Sequence, residues 1–100
     1  MSRLNIVIAH QLSQEEALKR IKGLLGDVKV QYADKISNLQ EEWEDNIGKF
    51  SFSAMGFSVS GTLTVRPNEV ELDGNLPFAA SFFKGKITSI ITEKAEELLR

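Results

Sequence analysis

Between residues 50 and 72 the chain alternates apolar and polar side chains with a period of two. That alternation survives two reversals of direction. Phe50, Phe52 and Ala54 alternate with Lys49, Ser51 and Ser53; after Met55-Gly56, Phe57, Val59, Gly61, Leu63 and Val65 alternate with Ser58, Ser60, Thr62 and Thr64. A two-residue loop at Met55-Gly56 pairs Ala54 with Phe57, Phe52 with Val59 and Phe50 with Gly61. Every apolar residue then falls on one face. A slip by one residue would invert the arrangement, so the pattern fixes the register. Arg66-Pro67-Asn68-Glu69 reads as the next turn, with proline at its second position. It pairs Val65 with Val70, Leu63 with Leu72 and Gly61 with Gly74, which sets the two glycines side by side opposite Phe50. Thr64 beside Glu71 and Thr62 beside Asp73 become outward positions.

Asp45-Asn46-Ile47-Gly48 is an earlier turn. An even loop there places Trp43 inward, across from Phe50; an odd loop turns Trp43 out. The even loop is preferred because it buries the only tryptophan beside a phenylalanine.

A sheet that is apolar on one side needs a cover. Two amphipathic segments supply it. Ser13 stands three residues before Glu16 as a capping box. Behind it Ala17, Leu18, Ile21, Leu24, Leu25, Val28, Tyr32 and Ile36 recur at helical steps. This predicts a helix from about Gln14 to about Lys35, weakened by Gly23 and Gly26 by roughly 1 kcal/mol each. After Leu76-Pro77, the stripe Ala79, Phe82, Phe83, Ile87, Ile90, Ile91, Ala95 and Leu98 predicts a second long helix. Lys84, Lys86, Glu93, Lys94, Glu96 and Glu97 face water. Leu4 to Ala9 reads as an opening strand. The order is β-α-β-β-β-β-α: an α+β fold whose curved antiparallel sheet is covered on one face by two long helices, a miniature helix-grip shape. Residues 1–100 read as one domain.

Composition narrows the chemistry. With 12 Lys and Arg against 14 Asp and Glu, the net charge of −2 offers no field for nucleic acid. The chain has no cysteine, which excludes disulfides and thiolate chemistry. The N-terminal apolar run is interrupted by Asn5 and ended by His10, so it reads as neither a signal peptide nor a transmembrane segment. The expectation is a cytoplasmic protein.

His10 is the only histidine. By alternation it shares a face with Leu4, Ile6 and Ile8. A general base needs an orienting partner, and Glu41 is the inward-pointing carboxylate that the register offers. Acid–base chemistry by His10 and Glu41 is therefore the enzymatic alternative, though no nucleophile or second ligand stands at a readable spacing. Glu41, Glu42, Glu44 and Asp45 surround Trp43, but a strand sends alternate residues to opposite faces, so they read as a solvated edge strand. Phe78, Phe82 and Phe83 read as core. A helix over a curved sheet can also enclose an apolar cavity, where such rings would meet a ligand. No cofactor or metal motif is present.

Several motifs resemble those of the small polyhydroxyalkanoic acid system proteins of bacteria. They are His10-Gln11-Leu12-Ser13 with Glu16-Ala17, Glu42-Trp43-Glu44, Phe50-Ser51-Phe52 and Gly61-Thr62-Leu63-Thr64-Val65. Leu76-Pro77-Phe78 with Phe82-Phe83-Lys84-Gly85-Lys86-Ile87 is the strongest stretch. The resemblance covers nearly the whole chain and carries no catalytic signature. It implies a non-enzymatic accessory protein of polyester storage, in contact with a granule, its polymer, the synthase or coat proteins, and so granule-associated. The alternative is a small carrier holding an apolar or acyl ligand between helices and sheet. His10, Glu41, Trp43, Phe78, Phe82 and Phe83 are the candidate ligand- or partner-binding residues.

Overall fold

A computed structural model describes residues 2–100. Its strands are β1 (Ser2–Ala9), β2 (Ile36–Glu44), β3 (Ile47–Ala54), β4 (Phe57–Val65) and β5 (Glu69–Leu76). They form one antiparallel sheet in the order β1-β5-β4-β3-β2. The helices are α1 (Gln14–Ile21), α2 (Leu24–Gln31) and α3 (Lys84–Leu98), the last entered through a 3₁₀ helix over Phe78–Phe83. All cover the same sheet face, giving an open α+β fold.

Both hairpins of the period-two region have the expected register: Phe52 opposes Val59, Phe50 opposes Gly61, Leu63 opposes Leu72 and Gly61 opposes Gly74. Met55 and Gly56 make the β3–β4 turn with φ of 52° and 85°. Two left-handed residues in a two-residue loop match the right-handed twist of the flanking strands. Phe50, Phe52, Val59, Leu63, Val65, Val70 and Leu72 are buried beneath the helices. Phe57, expected in the core, is half buried because it lies at the hairpin end under Phe83. Among the described residues no element covers the opposite face, which carries Ser51, Ser53, Ser58, Ser60, Thr62 and Thr64.

The glycine pair marks a close approach of two backbones. A Cβ on Gly61 would lie 2.1 Å from the Asp73 carbonyl oxygen and 2.5 Å from Gly74 Cα. The Phe50 ring instead neighbours Gly74, where a Cβ would meet Cζ at 3.7 Å. The need for glycine at 61 thus comes from β5 rather than from the phenylalanine.

Further expectations are corrected. The long first helix is two helices, broken at Lys22-Gly23, where the Gly23 N–H bonds the Arg20 carbonyl at 3.1 Å in a tightened turn. Gly23 keeps an ordinary right-handed conformation (φ −90°), and Ile21 and Leu24, on either side of the break, are both buried. α2 ends at Gln31, short of Lys35. The Ser13 cap is present, accepting the Glu16 N–H at 3.1 Å, but the Glu16 carboxylate bonds Arg20.

The β2–β3 turn is Asp45-Asn46, with Asp45 at φ 52°, so Trp43 opposes Gly48 and Glu41 opposes Phe50. The loop is even and Trp43 faces inward, but two residue pairs along the ladder from Phe50, which it was expected to oppose. A bulge between Ser37 and Gln40, with Asn38 at φ 56°, lets Ile36 and Leu39 both face the core despite their odd spacing.

The last correction lies after Pro77. A 3₁₀ helix has three residues per turn, so one residue in three points inward. Here these are Ala80 and Phe83, whereas Ala79, Phe78 and Phe82 point outward. An α-helical stripe would have buried Ala79 and Phe82. At the far end of α3, Leu99 is buried and Leu98 only half buried.

Candidate functional site

The six candidate residues fall into three separate places. His10 ends β1 and is 8% exposed. Its backbone N–H donates to the Asn68 carbonyl at 3.0 Å. The Leu12 N–H donates to Nδ1 at 3.1 Å, which makes Nδ1 an acceptor and leaves Nε2 to donate to the Arg66 carbonyl at 3.0 Å. The imidazole therefore clamps the β4–β5 turn to the entry of α1, and both ring nitrogens are engaged.

Glu41 lies on β2, and β1 and β2 are the opposite edges of the sheet. The structure does not bring His10 and Glu41 together. Glu41 stands on the inner face across from Phe50 yet is exposed at the sheet edge, and partial desolvation there pushes its carboxyl above the usual carboxylate range. Trp43, two residues on, covers Gly48: a Cβ there would collide with the indole at 2.5 Å. The Lys22 ammonium lies 5.9 Å from the Trp43 ring centre, a cation–π contact that caps it from α1's end. Glu42, Glu44 and Asp45 are exposed along an edge strand, as their pattern implied. Among the described residues no cluster of three metal-ligating side chains occurs.

A cavity between α2, α3 and the β2–β3 part of the sheet is walled by Leu25, Val28, Leu39, Phe52 and Ile91. Its volume is about 30 Å³. A cavity that holds benzene measures roughly 150 Å³, so this one is too small for an acyl chain as its walls stand.

The aromatic cluster is the third place, and it is the least expected. Phe78 is 80% exposed and Phe82 76%. Phe82 packs on Phe83 with ring centres 4.2 Å apart, and Phe83 packs on Phe57 at 5.9 Å. The inner ring thus anchors the outer one to the β3–β4 hairpin. Both exposed rings project from one rigid 3₁₀ segment, about 120° apart around its axis, on the sides not held against the core by Ala80 and Phe83. Pro77, with φ −57°, ends β5 and starts this ledge. The Leu-Pro-Phe-x-x-x-Phe-Phe spacing was the sequence signal for it, once a three-residue period is applied.

The fold and its exposed ledge define a small antiparallel α+β protein with an outward aromatic surface. A protein of Thermus thermophilus, TTHA0849, has a similar crystal structure, with TM-score 0.59 and 15% identity over 98% of this chain and 92% of that one. At that identity the likeness concerns the fold alone. Residues 4–99 match the family described as "Putative polyhydroxyalkanoic acid system protein", and the chain belongs to that family. No curated protein is significantly similar in sequence. Among the described residues no helix is long and apolar enough to cross a membrane.

Proposed function

We propose that this chain is a non-enzymatic accessory protein of bacterial polyhydroxyalkanoate storage. It works in the cytoplasm by binding the granule or the proteins on it. The observation that carries the reading is the pair of protruding rings, Phe78 and Phe82, which lie within the residues that match the family. Exposing two phenylalanines forgoes about 1.5–3 kcal/mol of burial each, and contact with a partner recovers it. The clamped His10 and its separation from Glu41 favour a binding role over acid–base catalysis. The test is fractionation of native granules, with the protein followed by mass spectrometry. Enrichment in the granule fraction over the soluble fraction is expected. An even distribution, or loss from granules under gentle washing, would remove the basis of the reading.

A further inference from the structure

The charge around the aromatic ledge is one-sided. Between Asp73 and Glu93 the sequence carries Lys84 and Lys86 and no acid. Both lysines are exposed on the turn that follows Phe82 and Phe83. Lys35 adds a cation at this end, where its carbonyl accepts the Met55 N–H at 2.9 Å, with Asp34 beside it as the nearby acid. The acids gather at the other end. Glu44 and Asp45 lie at the β2–β3 turn, which the Val65 N–H ties to the end of β4 through the Asn46 carbonyl. Glu93, Glu96 and Glu97 lie in the last turns of α3. A protein of net charge −2 thus presents a cationic, apolar end and a more acidic one, where Lys94 pairs with Glu97 and Arg66 with Glu69 and Glu71.

We propose that the ledge is an interfacial anchor for an anionic lipid surface. Phe78 and Phe82 enter the boundary between headgroups and acyl chains, while Lys84 and Lys86 lie at headgroup level, their stems along the apolar edge. The acidic end is repelled by the same surface, which orients the molecule ledge-down. The 3₁₀ geometry makes this possible, since it turns Phe82 outward while Phe83 holds the ledge to the β3–β4 hairpin. The inference rests on the contact reading above for its choice of working face and supplies the chemistry of the partner.

The test is cosedimentation of the whole chain with phosphatidylcholine vesicles, with and without phosphatidylglycerol, at low and high salt. Phosphatidylglycerol vesicles should bind the protein, and salt should weaken binding. Phe78→Ser/Phe82→Ser should lower the partition coefficient by about tenfold or more. Lys84→Gln/Lys86→Gln should abolish the preference for the anionic lipid. Phe78→Ser alone removes no ring stacking, so it reports on binding even if the double variant fails to fold. Equal binding to both lipids, no binding by the parent, or unchanged binding by Phe78→Ser and the double variant would overturn the proposal. Granule enrichment without vesicle binding would refute the lipid anchor alone. Vesicle binding without granule enrichment would refute the granule role and leave the anchor standing.

Discussion

Replacing Gly61 with alanine sets one methyl group against two backbones. The Cβ would sit 2.1 Å from the Asp73 carbonyl oxygen, where ordinary contact begins at 3.4 Å, and 2.5 Å from Gly74 Cα. Neither neighbour is a flexible side-chain end, so β4 and β5 must part by about 1 Å at this pair. Overpacking of that kind costs about 1–3 kcal/mol, and each ladder hydrogen bond stretched beyond use adds about 1 kcal/mol. Against this, alanine lowers the entropy of the unfolded chain by about 0.4–1 kcal/mol, and β-propensity spans only about 1 kcal/mol. The balance is a net loss of about 2–4 kcal/mol, a large part of the 5–15 kcal/mol typical of a domain. Urea denaturation followed by the fluorescence of Trp43, half buried over Gly48, reads the change directly. Gly26→Ala is the matched control: a Cβ there meets nothing within 4 Å and lies within α2, so it should stabilise by about 0.5–1 kcal/mol. A Gly61→Ala protein within about 0.5 kcal/mol of the parent would show that β4 and β5 yield freely, and the packing argument would fail.

Three further outcomes follow from the polar groups. His10→Ala strands the Leu12 N–H and the Arg66 carbonyl, so denaturant melts should show a loss of about 1–3 kcal/mol while granule partition is unchanged. Glu41 has its carboxyl pushed up in the folded state, so charging it opposes folding at pH above its unfolded value; because the side chain is exposed and screened by solvent, Glu41→Gln should raise the melting temperature only slightly near neutral pH and change little in acid. Glu71 and Asp73 behave oppositely. Hydrogen bonds from Asn5 and Arg66 lower the first, and one from Arg3 lowers the second. Their contribution is present above the ordinary carboxylate range and is lost as pH falls through the lowered values. Glu71→Gln/Asp73→Asn should therefore narrow the stability difference between neutral and acidic solution; an unchanged acid limb in thermal melts would contradict this.

The residues differ in how much of this they announced. Alternation encodes which side of a strand faces inward, and two hairpins with short loops left little freedom in register, so the β3–β4–β5 pairing was legible from Phe50 to Leu72. Alternation says nothing of strand order. His10 and Glu41 both read as inward, yet β1 joins the sheet beside β5 while β2 lies at the far edge, a choice made by tertiary packing. The β2 bulge was hidden because Ile36 and Leu39 share the three-residue spacing of a helix. The same ambiguity concealed the ledge: Ala79, Phe82 and Phe83 satisfy a helical stripe with period 3.6, and only the tighter winding after Pro77 puts Phe82 in solvent.

Partition between native granules and the soluble fraction, compared in cells carrying the parent and Phe78→Ser/Phe82→Ser at equal abundance, tests the central claim most directly. The account predicts that the parent follows the granules and that the double variant, folded by circular dichroism, moves to the soluble fraction. A folded double variant that still follows the granules would contradict the ledge as the contact surface, and a parent that never leaves the soluble fraction would contradict the granule contact itself.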